Sequence, residues 1–524
     1  MKKSWLVLFC CSLCFSSFLF PQASEANDLV VKNVRLGARD VNAKTVQVYF
    51  DISWENSWKN KINHDAAWVI VRLKDVQASS DMRLCQLASS GLNPSGTLTG
   101  NNADIEVYVP QDKTGAFIRR VSNQPIGPLA AQNALITVNY DSCGFTENSQ
   151  IQVAMFGFEM VYVPEGSFYA GDGLSVAALR QGASDNNPWH ITSEFPINVS
   201  AADAAGFYYT SAGNIGELPT GSVFTVPAAF PKGYAPFYMM KYELTEGQWI
   251  DFVNSLSVAA RAVRDITNAS HKNSDAVLSR NTIACSGPSL ICATQRPHRP
   301  VSFIDWQDLA AFLDWAALRP MTELEFEKAA RGPYVPLAGE YAWGSKDITA
   351  ADTVSGTSEE GDESVTTPGA NARFNGVMLS GGDSRAGVEY QKGMLRSGIF
   401  STGSSNRILS GAGNYGAMDL SGNAKEMVVT LGNPDGLAFS GQQGSGYLTT
   451  LQGSEGNANV PGWPGMDTNA ARGVTGASGA GLRGGSWADV SDRLRISDRQ
   501  EAALMASSPT DTLGGRGVRT YDGL

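Results

Sequence analysis

Histidine is scarce in this chain, with four residues in 524. His64, His190, His271 and His298 are scattered without ligand spacing, which excludes a histidine-built metal centre. Charge is sparse too, at 17% of residues, with 51 acidic against 40 basic side chains and a formal net charge of −11. No basic patch is interleaved with aromatics, so a nucleic-acid partner is excluded, and the acidic excess reads as solvated surface. No apolar run after residue 20 is long enough to cross a bilayer, which excludes an integral span once the N-terminal segment is removed. The chain also lacks a Gly-x-Ser-x-Gly elbow, a phosphate loop and a His-Glu-x-x-His run, and with them the commonest hydrolase and nucleotide chemistries.

What is present is length, glycine and apolar side chains. The length predicts two or three cores; 55 glycines with 43% hydrophobic residues suit β-rich, loop-rich domains. Lys2 and Lys3 precede an uncharged apolar run over 5–20, and Ser24-Glu25-Ala26 offers the small residues of a cleavage site. Residues 1–26 therefore predict a signal peptide, with a retained anchor as the alternative. Cys14 lacks a well-formed lipobox. The mature protein is expected to be exported, to the periplasm, the cell surface or the medium. Of seven cysteines, Cys10, Cys11 and Cys14 leave with the leader. Cys85, Cys143, Cys285 and Cys292 remain, one pair in each half of the chain. An oxidising compartment predicts Cys85–Cys143 and Cys285–Cys292 bridges; the alternative is a reactive thiol pair at Cys285 and Cys292.

Residues 27–156 predict an all-β sandwich. Val46, Val48, Phe50, Ile52 and Trp54 alternate with Gln47, Tyr49, Asp51 and Ser53, which places one set on a buried face. Short apolar runs recur at 29–34, 67–73, 105–109, 135–140 and 151–156 between turn residues. Trp54, Trp58 and Trp68 suit its core, with a carbohydrate platform as the alternative. Residues 157–524 have a different, α+β texture. Residues 173–235 look like an insertion, and 345–365 an acidic loop. Helices are expected over 246–256, capped by Thr245 with Gln248, over 305–318, and over 322–331, capped by Thr322 with Glu325.

Within 160–521, a series of phrases resembles the formylglycine-generating (sulfatase-modifying factor) enzymes. Residues 160–168, 237–248, Pro300-Val301 with Asp305-Trp306, and Tyr341-Ala342-Trp343-Gly344 follow the family order. The most diagnostic block is Arg319-Pro320-Met321-Thr322-Glu323-Leu324-Glu325-Phe326-Glu327-Lys328-Ala329-Ala330-Arg331-Gly332. Residues 416–426, Arg483-Gly484-Gly485-Ser486-Trp487 and 515–519 close the series. The resemblance implies a C-type-lectin-like fold with little regular secondary structure.

It also implies sites. Family members place two copper-binding cysteines after the Gly-Gly-Ser-aromatic phrase; those positions here hold Asp489 and Leu494, so no copper is expected and no catalytic residue is assigned. A structural calcium ion would take Asp419, the carbonyls of Gly422 and Ala424, and Glu426. Asn371 and the Ala372 carbonyl resemble the start of a second calcium site. The family usually has Trp where Lys425 and Met427 stand. Diversified receptors of related fold bind through the segment after Gly-Gly-Ser-Trp. By that likeness the ligand surface is Trp487, Ala488, Asp489, Val490, Ser491, Arg493, Arg495, Gln500, Ser507 and Asp511, facing a protein or glycan. The expected function is a non-catalytic binding or envelope-scaffold protein. The alternatives are a formylglycine-generating oxidase and a structural part of a secretion or motility apparatus.

Overall fold

The computed structural model describes residues 28–77, 81–102, 104–200, 206–356 and 363–523. The expected leader, and parts of the expected insertion and acidic loop, lie outside the described residues. Strands dominate and helices are few and short. The strand Thr45–Lys59 buries Val46, Val48, Phe50, Ile52 and Trp54 to 2% exposure or less, as their alternation dictates. It sits in a four-stranded sheet with Val30–Asp40, Gln124–Asn139 and Thr97–Leu98. That sheet's buried face shares one apolar cluster with Val69, Val71, Val107 and Ile118 of a second, nine-stranded sheet.

The larger sheet runs without a break from one half of the chain into the other. Its order is Arg319–Pro320, Gly517–Thr520, Phe237–Met240, Ile151–Val163, Asp65–Asp75, Ala116–Arg120, Ile105–Val109 and Gly91–Leu92, with Arg83–Leu84 also on Asp65–Asp75. The strand Ile151–Val163 passes straight through the expected boundary at 156/157. Residues Ile151 to Val161 pair with Asp65–Asp75, and Met160 to Val163 pair with Phe237–Met240. Asp65–Asp75 is consequently covered on both faces, which is why its sequence is an unbroken apolar run. Val69 and Val71 face the N-terminal cluster; Trp68 and Ile70 face Phe312, Trp315 and Leu318. Trp54 and Trp68 are core, at 1% and 0% exposure, whereas Trp58 is half-buried under the Lys241 ammonium, 5.3 Å from its ring centroid.

Guanidinium groups tie the halves together. Arg72 donates to the carbonyls of Met82, Trp315 and Gly446 and stacks on Trp315. It therefore caps the C-terminal end of the helix Trp306–Trp315, where the helix dipole favours a cation.

The helices start where their caps predict. Thr245 with Gln248, Asp305 with Asp308, and Thr322 with Glu325 each form reciprocal capping boxes. The second helix stops at Trp315, short of the expected Leu318. Ala317 adopts φ 54°, Leu318 N–H donates to Leu313 O and Ala317 N–H to Asp314 O. This is a Schellman stop built without glycine. The region 173–235 contributes short strands, among them a four-stranded sheet of Arg180–Gln181, Phe207–Tyr208, Ile197–Val199 and Phe224–Val226. Both expected disulfides are formed, Cys85–Cys143 and Cys285–Cys292. Among the described residues no helix is long and apolar enough to cross a membrane.

Candidate functional site

The centre of the site is the strand Lys425–Val429, flanked by Ala480–Arg483 and Leu513–Gly514. Side chains alternate across a strand, so neighbouring Lys425 and Glu426 serve different neighbourhoods. Glu426 turns into the interior and forms a two-pronged pair with Arg516, at 2.7 Å to Nε and 2.6 Å to the terminal nitrogen. Lys425 turns toward the loop after the Gly-Gly phrase, where its ammonium lies 2.7 Å from Glu501 and 3.5 Å from Asp489.

That loop folds back sharply. Gly484 and Gly485 have φ of 84° and 66°, and a Cβ on Gly485 would lie 2.7 Å from Leu494 Cδ1. Glycine is therefore required twice over, for its backbone angle and for close approach. Asp489 Oδ2 accepts from the Ser486 N–H at 2.9 Å and the Ser486 hydroxyl at 2.6 Å, closing the turn. Leu494 is 0% exposed and packs in one cluster with Phe326, Leu420 and Ile496. The notch bounded by Arg483, Gly485, Arg493, Asp498 and Glu501 has a volume of about 10 Å³, barely room for one water.

These phrases carry the assignment. A family model described as the sulfatase-modifying factor enzyme 1-like domain matches residues 152–521. The chain belongs to that family. Local similarity to curated relatives is confined to short segments. One of 54 residues is 48% identical to a formylglycine-generating enzyme of Streptomyces coelicolor, covering 10% of this chain and 16% of that protein. One of 53 residues is 42% identical to a formylglycine-generating enzyme of Thermomonospora curvata, covering 10% and 17%.

Within this sulfatase-modifying-factor-like domain, the remaining expected surface residues spread along one segment. Ala488, Val490 and Ser507 are exposed; Asp489, Ser491, Arg493, Arg495, Gln500 and Asp511 are half-buried. Trp487 is only 7% exposed. Its indole N–H donates to Asp511 O at 3.0 Å and its ring packs with Met394 and Ala424. Arg495 pairs with Asp492 at 2.6 Å, and the Gln500 carbonyl accepts from Asn214. Asn214 lies in the expected insertion, so that segment borders the same face. Sequence reasoning missed this, and it missed Glu501 as the partner of Lys425; neither has a local signal.

The expected calcium loop brings together more acid than predicted. Asp419, φ 59°, accepts from Gly398 N–H at 2.5 Å, and burial pushes its carboxyl up to about 6. Glu243 joins it, accepting from Ala424 N–H at 2.9 Å and the Asn423 amide at 2.7 Å. Burial, and the nearby Asp419 and Glu426 carboxylates, push Glu243 well above the usual carboxylate range. Three buried carboxylates thus face the guanidinium of Arg516, with Arg396 also acting on Asp419. That negative excess attracts a cation, yet the three carboxylates do not converge on one point, and Arg516 takes both Glu426 oxygens. Gly422 has φ 93° and approaches Arg373 O so closely that a Cβ would lie 2.6 Å from it. The Asn371 amide is used locally, accepting from Thr349 N–H and donating to Asp347 O, and the Ala372 carbonyl accepts from Ala351 N–H.

No sulfur or histidine site competes. Among the described residues, Asp265, Cys285 and Cys292 are the one group of possible ligands that converge, and both sulfurs are held in their disulfide. His64 bonds Tyr238 at 2.8 Å, His271 bonds Asp308 at 2.9 Å, and His190 stacks on Tyr169.

Proposed function

We propose that this member of the sulfatase-modifying factor family is a non-catalytic binding or scaffold protein of the cell envelope or exterior. The observation that carries the reading is the fate of the two positions where the family places its thiols. One holds a carboxylate engaged by Ser486 and Lys425; the other holds a leucine sealed into the core. Copper-dependent oxygen activation needs soft ligands, and neither side chain supplies one. The C-type-lectin-like architecture of residues 157–524 and the β-sandwich character of 27–156 belong to the same proposal. So does export through the leader at 1–26, which two disulfides favour. The ligand face is the segment from Ala488 to Asp511, and its partner is a protein or a glycan.

The test is conversion of a sulfatase-derived cysteine peptide with added copper, read by mass spectrometry. No formylglycine is expected from this chain under conditions where a formylglycine-generating enzyme converts the peptide. Robust conversion would overturn the proposal in favour of an oxidase using other residues.

Calcium at Asp419, Glu426 and the carbonyls of Gly422 and Ala424 is the structural cofactor of this reading, with Glu243 supporting it through the Asn423 and Ala424 bonds. Binding to the folded state alone should stabilise it by about 2.7 kcal/mol at a hundredfold excess over Kd. Thermal unfolding with calcium and with a chelator measures this. The calcium-dependent part should vanish in Asp419→Ala and persist in Asp489→Ala; equal melting with calcium and chelator would sink the assignment.

A further inference from the structure

A deep cleft lies away from the loop after the Gly-Gly phrase, at the seam between the two halves of the chain. It measures about 780 Å³, within the range of small-ligand sites, which favour such junctions. The N-terminal half supplies Arg72, Met82 and Arg83, and the C-terminal half supplies Ser257, Tyr447 and Thr450. A shallower groove of about 570 Å³ continues past Leu448, Thr449 and Thr450 to Gln452 and Asn459. The two volumes share that ridge, so an extended molecule could occupy both.

The chemistry of the lining selects the ligand. Its charges offset one another, Arg72 and Arg83 against Asp81 and Glu455, which disfavours a strongly anionic ligand. The fold itself spends the two terminal nitrogens of Arg72 on carbonyls, in part as the cap of the helix Trp306–Trp315. Uncharged hydrogen-bonding groups remain. Among the described residues the Thr450 hydroxyl and the Gln452 amide have no hydrogen-bond partner, and both side chains belong to exposed residues. Asn459 uses its amide oxygen for Ser445, leaving its N–H donors, and Ser257 uses its oxygen as a helix cap, leaving its hydroxyl proton. Tyr447 is 41% exposed yet fixed, because its hydroxyl donates to Leu84 O at 2.9 Å across the seam. An exposed ring held in place is a platform whose ordering cost has already been met by folding.

We infer that this seam cleft is a binding site for a neutral oligosaccharide. Sugar rings would stack on Tyr447, and their hydroxyls would bond Thr450, Gln452 and Asn459. The site is separate from the face proposed above and does not depend on it.

Saturation-transfer NMR and calorimetry with cellohexaose, maltohexaose, N-acetylchitohexaose and hexagalacturonate test this on the mature chain. At least one neutral hexasaccharide should bind. Tyr447→Ala should weaken it by about tenfold or more. Thr450→Trp, which fills the groove from an exposed position and spares the Tyr447 bond to the fold, should do the same. Ile126→Ala, on a side chain 70% exposed and outside both grooves, should leave the affinity unchanged. The inference is overturned if no neutral hexasaccharide binds at millimolar concentration, if hexagalacturonate alone binds, or if both cleft variants bind like the parent.

Discussion

Replacing Glu323 with alanine is expected to remove about 3–5 kcal/mol of folding stability, the cost of breaking a buried ion pair from one side. Glu323 is 0% exposed and is a hub. It accepts from Arg499 at 2.6 Å and 3.1 Å, from Arg483 at 3.2 Å, and from Thr430 Oγ1 and Leu431 N–H, both at 2.9 Å. Arg483 also reaches Glu327 at 2.9 Å, and Glu327 pairs with Arg331 at 3.0 Å. Arg331 also bonds Glu340 at 2.5 Å, so three guanidiniums and the carboxylates of Glu323, Glu327 and Glu340 offset one another. Deleting one carboxylate strands Arg499 in the interior. Urea unfolding should show a lower midpoint at unchanged slope; a shift below about 1 kcal/mol, the scale of an exposed pair, would refute the hub.

The same network sets the acid limb of stability. Burial pushes the carboxyls of Glu323 and Glu327 up, but Arg499 and Arg483 outweigh it and hold both below the ordinary value. A depressed carboxyl contributes stability above its unfolded value, about 4.3, and loses it as pH falls through the folded one. Asp65 and Asp314 have the opposite sign, because burial raises both to about 6. They bind protons more tightly when folded, so their own contribution to stability rises as pH falls from about 7 to about 4. His64 opposes them, because burial lowers it to about 3 and it costs stability as pH falls below about 6.5. Below about pH 4 the loss of the Glu323 network's contribution should make the parent decline. In Glu323→Ala the decline should be shallower; an unchanged acid limb would place the titration elsewhere.

The diagnostic block that contains Glu323 was legible in the sequence as a helix with its cap. Thr322 and Glu325 announce that start locally, as Thr245 and Gln248 announce theirs. The same holds for the alternation of Val46 through Trp54. What was not legible depends on pairing between distant positions. Nothing in residues 151–163 says that one strand serves two halves of the chain, because each part of it looks like an ordinary apolar strand. The stop at Ala317 was missed since its signal is normally glycine. At the site, Asp489 and Lys425 stood out singly as departures from the family pattern. Only the fold brings them together and adds Glu501. The Glu243 carboxylate beside the 419–426 loop was hidden for the same reason, being far away in sequence.

The second large effect is expected at Leu494. Its side chain fills the space between two glycine turns: a Cβ on Gly422 would lie 2.9 Å from Leu494 Cδ2, and one on Gly485 would lie 2.7 Å from Cδ1. It is the wedge that couples the 419–426 loop to the Gly-Gly phrase. Leu494→Ala should cost about 2–5 kcal/mol, since both turns are pinned by backbone bonds and cannot collapse into the cavity. Val490→Ala, on a side chain 58% exposed, should stay within about 0.5 kcal/mol. The comparison separates two accounts of this position. If Leu494 merely occupied a relaxed, vacated active site, its loss would be as mild as that of Val490. If it is core, the double variant Asp489→Cys with Leu494→Cys should also be destabilised, and it should still fail to convert the peptide. The restored thiols would still have Lys425 beside them, held 2.7 Å from Glu501. Full activity in that variant would mean that the two thiols were all that this chain had lost.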